Sequence, residues 1–221
     1  MRIFQVFSSR ISWLQIIFVA LILSGCTHHQ TKAPVISQNW AAHKEKVESI
    51  QNWQATGKLA VKVPNDGGSA SVKWQQSGKT YQIDLNGPFG SGKVTINGLP
   101  DGVALTEAGQ APQHAKTAEE LVRKNTGWNI PVTQLAFWVR GLPDPNSKII
   151  RFAPNEQGLI GELEQLGWKV SYGEYLNATA LNNNIPMPGR IIAEYNDVRL
   201  TLVVREWQFD ALESPLSQPV P

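Results

Sequence analysis

The chain has 221 residues, 42% of them hydrophobic, with 20 Lys and Arg against 18 Asp and Glu. That length supports one sizeable domain with its own core, and so even a balance excludes a nucleic-acid partner held by bulk charge. A single cysteine excludes a disulfide framework.

Arg2 and Arg10 precede an apolar run from Ile11 to Leu23, broken by Ser12 and Gln15, and Leu23-Ser24-Gly25-Cys26 closes it. A positive start, a short apolar stretch and small residues before a cut site read as a secretory signal over residues 1–25. Two other readings compete: Cys26 as a buried structural cysteine, and the run as a membrane-spanning anchor, which needs about 20 apolar residues with suitable flanks. Cleavage before Cys26 removes Arg2 and Arg10 and no acid, leaving 18 bases against 18 acids. Residues 26–38, polar with Pro34, are expected to form a flexible tether, and 39–211 a single folded domain. Pro215, Pro219 and Pro221 mark 212–221 as a disordered tail. His28-His29, His43 and His114 show no spacing suited to zinc and read as solvated, so no metal or cofactor is expected.

The folded part opens with a helix: Trp40, Val47 and Ile50 sit at helical spacing, with Lys44, Glu45, Lys46 and Glu48 facing out. After Gln54 the period drops to two. Leu59, Val61 and Val63 alternate with polar or small residues, as do Ala70, Val72 and Trp74, then Tyr81, Ile83 and Leu85. Val94 with Ile96 and Val103 with Leu105 follow, and turn residues punctuate each gap. Five strands so joined form an antiparallel meander, apolar on one face. Thr117-Ala118-Glu119-Glu120 is a capping box for a helix that stops at Gly127. A second helix has Pro131 in its first turn and ends at Gly141. Its Leu135-Ala136-Phe137-Trp138-Val139 run is apolar on more than one stripe, so it must be covered on more than one side. Strands resume with Leu159, Gly161 and Leu163, then Trp168, Val170 and Tyr172, then Ile191, Ala193 and Tyr195. Asn196-Asp197 turns the chain into Val198, Leu200, Leu202 and Val204, and Trp207 and Phe209 close the domain.

The predicted fold is mainly β with some α: an unclosed, curved antiparallel half-barrel with helices over its apolar hollow. Helices too few to fill that hollow leave a cavity. Leu59, Val61, Val72, Trp74, Ile83, Leu85, Ile96, Trp138, Val170 and Ile191 are expected to line it. The seven tryptophans after Cys26 either pack such a hollow or line it.

Gly87-Pro88-Phe89-Gly90-Ser91-Gly92-Lys93 has the spacing of a nucleotide-binding loop but fails as one. Val94 replaces the hydroxyl needed for magnesium, the residues that follow alternate as a strand instead of opening a helix, and an exported protein meets little nucleotide. The same residues suit a hairpin tip that holds Phe89 in water. There Phe89 is either an ordinary exposed apolar residue or a wedge for a nearby bilayer. No serine elbow, zinc-protease motif or free cysteine nucleophile is present. The pairs Glu162/Glu164 and Glu119/Glu120 read as solvated, so no catalytic residues are assigned.

Taken together, these segments resemble the LolB family of outer-membrane lipoprotein receptors. The resemblance runs from about Trp40 to Phe209. It rests on Trp74-Gln75-Gln76 with Gly78, Asn86-Gly87-Pro88-Phe89-Gly90-Ser91, Gly127-Trp128-Asn129-Ile130-Pro131, Trp138-Val139-Arg140-Gly141-Leu142-Pro143, and Trp168-Lys169-Val170-Ser171-Tyr172-Gly173 with Met187-Pro188. Leu23-Ser24-Gly25-Cys26 likewise resembles a lipobox, which implies lipidation at Cys26. The family implies a cavity that takes acyl chains of client lipoproteins from a LolA-like periplasmic carrier and passes them to outer-membrane lipid without ATP. It also implies a membrane-inserting loop at Gly87, Pro88, Phe89 and Gly90. Phe89 stands where the family typically has Leu, and Gly87 is an extra residue. Thr27 lacks the Asp associated with inner-membrane retention. The resemblance thus implies a monomeric, lipid-anchored, periplasm-facing outer-membrane protein with no nucleic-acid partner and no enzymatic activity.

A shielded route matters because each buried methylene is worth about 0.8 kcal/mol. Exposing three chains of about 45 carbons would then cost on the order of 30 kcal/mol. Two other functions remain as alternatives, a scaffolding lipoprotein with an incidental cavity and a lipid-processing enzyme.

Overall fold

The computed structural model describes residues 38–88, 92–180 and 183–209. The signal, Cys26, the tether before Gln38, Phe89, Gly90 and the tail lie outside the described residues. Helix α1 (Gln38–Ser49) buries Trp40, His43 and Val47 along one stripe, continued by Ile50, and pairs Lys44 Nζ with Glu48 at 2.7 Å on its solvent side. His43 is therefore not solvated as expected: it shares the buried stripe, its ring 6.0 Å from that of Trp40. His114 is exposed, as anticipated.

Eleven strands form one antiparallel sheet. They are β1 (Asn52–Val63), β2 (Asp66–Ser77), β3 (Thr80–Asn86), β4 (Lys93–Leu99), β5 (Gly102–Glu107), β6 (Gln113–Ala115), β7 (Ile149–Pro154), β8 (Ile160–Gln165), β9 (Trp168–Tyr172), β12 (Arg190–Tyr195) and β13 (Val198–Phe209). The order is β6-β5-β4-β3-β2-β1-β13-β12-β9-β8-β7, and since β6 and β7 are free edges the sheet does not close into a barrel. β10 (Tyr175–Ala180) and β11 (Asn183–Pro188) form a separate two-stranded ribbon.

Register turns the period-two pattern into a continuous apolar band. Ile96 faces Leu105, Ile83 faces Ile96, Trp74 faces Ile83 and Val72 faces Leu85. Leu59 then faces Leu202, Val61 faces Leu200, and Ile191 and Ala193 meet the same two leucines from the other side. Directly opposed residues share a face, and across β1–β2 Leu59 faces Ala70 and Val72 faces Gly57, so the band continues from β5 to β12 with small residues at that seam. At the β1–β13 seam Thr56 pairs with Glu206 but Gly57 with Val204, which leaves Arg205 as an extra residue. Such a bulge bends and twists the sheet. Glycine is required there, because a Cβ on Gly57 would lie 2.0 Å from the Val203 carbonyl oxygen.

The helices cross this face. At the start of α2 (Ala118–Thr126) the Thr117 hydroxyl accepts the Glu120 N–H at 3.2 Å, and the Glu120 carboxylate accepts the Lys116 N–H at 3.3 Å, one residue farther out than a standard capping box. Gly127, at φ 76, ends it. α3 (Val132–Trp138) follows Pro131, and its Thr133 N–H donates to Glu119 Oε1 at 2.7 Å. Glu119 and Glu120 thus serve helix starts. α3 ends at Trp138, short of the expected Gly141, which sits at φ 73 in the following turn.

Candidate functional site: an apolar cavity

A cavity of about 260 Å³ lies between the sheet face and the helices. Its floor is the cross-strand band: Leu59 and Val61, Val72 and Trp74, Ile83 and Leu85, Val94 and Ile96, Leu105, Ile191 and Ala193, Leu200 and Leu202. Val122 of α2, Trp128 and Ile130 of the connection, Val132 and Leu135 of α3, and Val139 form the roof. Leu59, Val61, Leu85, Val94 and Leu202 are only half-buried, so the space between floor and roof is unfilled. An apolar hollow left empty forfeits dispersion contacts and suits an apolar guest.

Among the described residues only three polar side chains reach the lining, Glu107, Asn125 and Thr126. Thr126 Oγ1 donates to Val122 O at 2.7 Å and accepts the Trp128 N–H at 3.1 Å. Asn125 Nδ2 donates to Leu121 O at 2.9 Å and exchanges hydrogen bonds with the Gln113 amide. Both hold the α2 end in place, leaving the wall few groups to recognise a polar ligand. Such a site selects for apolar length and bulk.

Eight of the ten expected lining residues face this space: Leu59, Val61, Val72, Trp74, Ile83, Leu85, Ile96 and Ile191. Trp138 and Val170 do not, and that expectation is corrected. Trp138 has no exposed surface and packs 6.3 Å from Trp168, while Val170 is 2% exposed on β9. Alternation shows which face a residue takes, not whether that stretch of face is covered. Past β12 the face is covered by close-packed core. Sequence reasoning omitted Val94, Leu105, Ala193, Leu200 and Leu202, although each lies two positions or one register partner from a residue it chose. The α3 run does use several faces: Leu135 and Val139 meet the cavity, and Trp138 enters the core.

The β3–β4 loop starts where Leu85 and Val94, directly opposed, reach the cavity. The Gly87 N–H donates to Gly92 O at 3.0 Å across its base, and Pro88 is exposed. Phe89 and Gly90 lie outside the described residues.

Comparison with known proteins agrees with this geometry. The family model described as "Outer membrane lipoprotein LolB" matches residues 51–207. The outer-membrane lipoprotein LolB of Cellvibrio japonicus is 41% identical over 199 residues, covering 90% of this chain and 97% of that protein. The protein of the same name from Stutzerimonas stutzeri is 36% identical over 194 residues, covering 86% and 92%. Among solved structures, a Vibrio parahaemolyticus domain provisionally described as outer membrane lipoprotein-sorting superposes with TM-score 0.53 at 7% identity, over 79% of this chain and 92% of that one. A DUF1329 family protein from Desulfovibrio piger gives 0.50 at 10% identity, over 80% and 92%. These two likenesses bear on the fold alone, whereas the sequence matches span most of the chain. The chain belongs to the LolB family of outer-membrane lipoproteins.

Proposed function

We propose that the apolar cavity receives the acyl chains of lipoproteins delivered by a LolA-like periplasmic carrier, and that the protein releases them into the outer membrane. The observation that carries this reading is the apolar cavity between the β5 to β12 face of the sheet and the helices. Transfer needs no ATP if each successive acceptor holds the chains more favourably, with the bilayer last. The work is binding and release, not catalysis: the hydroxyl and amide at the cavity wall serve backbone and neighbouring groups, and the Glu107 carboxylate accepts from Gln110 Nε2 at 2.8 Å. Cys26 carries the lipid anchor, residues 39–211 act as one monomeric domain, and the loop from Gly87 to Gly90 presents Phe89 to the membrane.

The test uses the Cys26→Ala form and a carrier loaded with radiolabelled lipoprotein. Label should move onto the Cys26→Ala protein in the absence of ATP. Retention of all label on the carrier would favour a scaffolding lipoprotein with an incidental cavity.

A further inference from the structure

A second cavity, of about 670 Å³, adjoins the first and shares Trp74 and Val132 with it. Arg140 stands in its wall with Trp53, Tyr81 and Phe137. The half-buried guanidinium donates from Nε to Ala136 O at 3.2 Å and from Nη1 to Ile50 O at 3.4 Å, and its Cζ lies 5.8 Å from the ring centroids of both Trp53 and Phe137. Among the described residues no carboxylate pairs with it. Glu48 faces the same cavity, but Lys44 holds its carboxylate. Burial lowers the Arg140 pKa to about 10, and the nearby Glu48 carboxylate opposes that shift only in part. Guanidinium has five N–H donors, so three are left without a protein acceptor.

Other groups of this wall are also unmatched. The indole N–H groups of Trp53 and Trp74 are buried without an acceptor, and Gln76 Oε1 is buried without a donor. Buried polar groups are nearly always satisfied, so such a concentration calls for a partner.

We propose that this second cavity seats the ester and amide carbonyl oxygens at the neck of a diacylglyceryl-modified cysteine, whose chains occupy the adjoining apolar cavity. The inference rests on the acyl-chain reading above and adds a polar recognition element to it. The neck offers several carbonyl acceptors and one amide N–H. That matches a wall in which Arg140 offers three N–H groups without a protein acceptor, with the unmatched indole N–H groups of Trp53 and Trp74 and Gln76 Oε1 buried behind it. An oxyanion is the competing occupant, because Arg140 and Lys79 outnumber Glu48 on this wall, and the phosphate arm of the test decides between the two. Trp74 and Val132 belong to both walls, which sets the apolar cavity directly beside this one.

The experiment compares two synthetic probes on the Cys26→Ala protein by calorimetry: a cysteinyl peptide carrying a dipalmitoyl-glyceryl diester, and the matched dialkyl diether, which has the same chains without ester carbonyls. The diester should bind about tenfold more tightly, the scale of one hydrogen bond to a charged donor. Arg140→Met should bring the ratio close to one while leaving the diether affinity within about twofold. Arg140→Lys, which keeps the charge and loses the planar fork of donors, should reduce the ratio part-way. Equal affinities in the parent protein, a ratio retained in Arg140→Met, or displacement of the diester by inorganic phosphate would each overturn the proposal. If the parent binds neither probe, the acyl-chain reading itself fails, and this inference with it.

Discussion

The Trp138 indole N–H donates to Gln165 Oε1 at 3.0 Å, and neither side chain has any exposed surface. The same oxygen accepts the Asp144 N–H at 2.9 Å, while Gln165 Nε2 donates to Asp144 O at 2.9 Å and Ser147 O at 2.8 Å. One buried amide thus fastens the end of α3 and the loop behind it to β8. Gln165→Leu preserves the volume but strands two donors and two acceptors. Unmatched buried groups cost about 1–3 kcal/mol each, with partial relief from relaxation, so we expect a loss of about 3 kcal/mol in urea unfolding. A loss below about 1 kcal/mol would show that the network adds little stability.

The cavity separates two kinds of apolar substitution. Leu202→Trp should fill the hollow, and Leu59→Asp should place a charge in it, since both residues are half-buried on the floor. Each should weaken binding of a hydrophobic dye by about tenfold or more while the variant stays folded. Trp138→Ala should instead destabilise the fold by about 3–5 kcal/mol, as expected for a fully packed aromatic. Unchanged dye binding in both cavity variants would mean that the dye reports another surface.

Acid should weaken the fold through His43. Burial and nearby Lys46 lower its pKa from the usual 6.5, and its Nε2 is buried without a partner. The unfolded chain therefore binds a proton more readily than the folded one, and stability falls as pH drops through the unfolded value toward the folded one. His43→Leu should flatten the stability slope between about pH 7 and pH 5 in chemical denaturation. A slope equal to that of the parent would assign the acid sensitivity elsewhere.

Phe89 is expected to act in release and not in uptake. Phe89→Glu should accept a client from the carrier normally yet fail to pass it to liposomes, because a carboxylate resists burial among acyl chains. Phe89→Leu should behave like the parent. Two measurements, uptake and liposome transfer, decide the matter. Equal transfer by the Glu variant would return Phe89 to the class of ordinary exposed residues, and loss of both steps would place the loop in the client site.

Much of the fold was legible because its elements carry strong local signals. Trp74, Ile83 and Ile96 alternate cleanly, and Thr117 and Gly127 bracket a helix. The edge strand β7 was missed because Ile149-Ile150-Arg151 has no period of two, and its Ile150 is 59% exposed. The β10–β11 ribbon escaped notice because Asn177, Thr179 and Asn184 are exposed polar residues where a strand pattern would be sought. Depth was the harder quantity. Nothing local distinguishes Val170, in packed core, from Ile191 at the cavity wall, since both obey the same alternation and differ only in what lies above the sheet. Arg140 was equally opaque: its lack of a carboxylate partner depends on elements distant in sequence.

Acyl chains of a client are expected to enter the cavity between Leu202 and the helices. The most direct measurement places a photoreactive benzophenone amino acid at position 202 of the Cys26→Ala protein and irradiates it during transfer from a loaded carrier. A second protein carries the probe at position 150, on the exposed edge strand. A crosslink should form from position 202 to the acyl chains of the client, be lost when the client is not acylated, and be weak or absent from position 150. Crosslinking from position 150 but not from position 202 would contradict it.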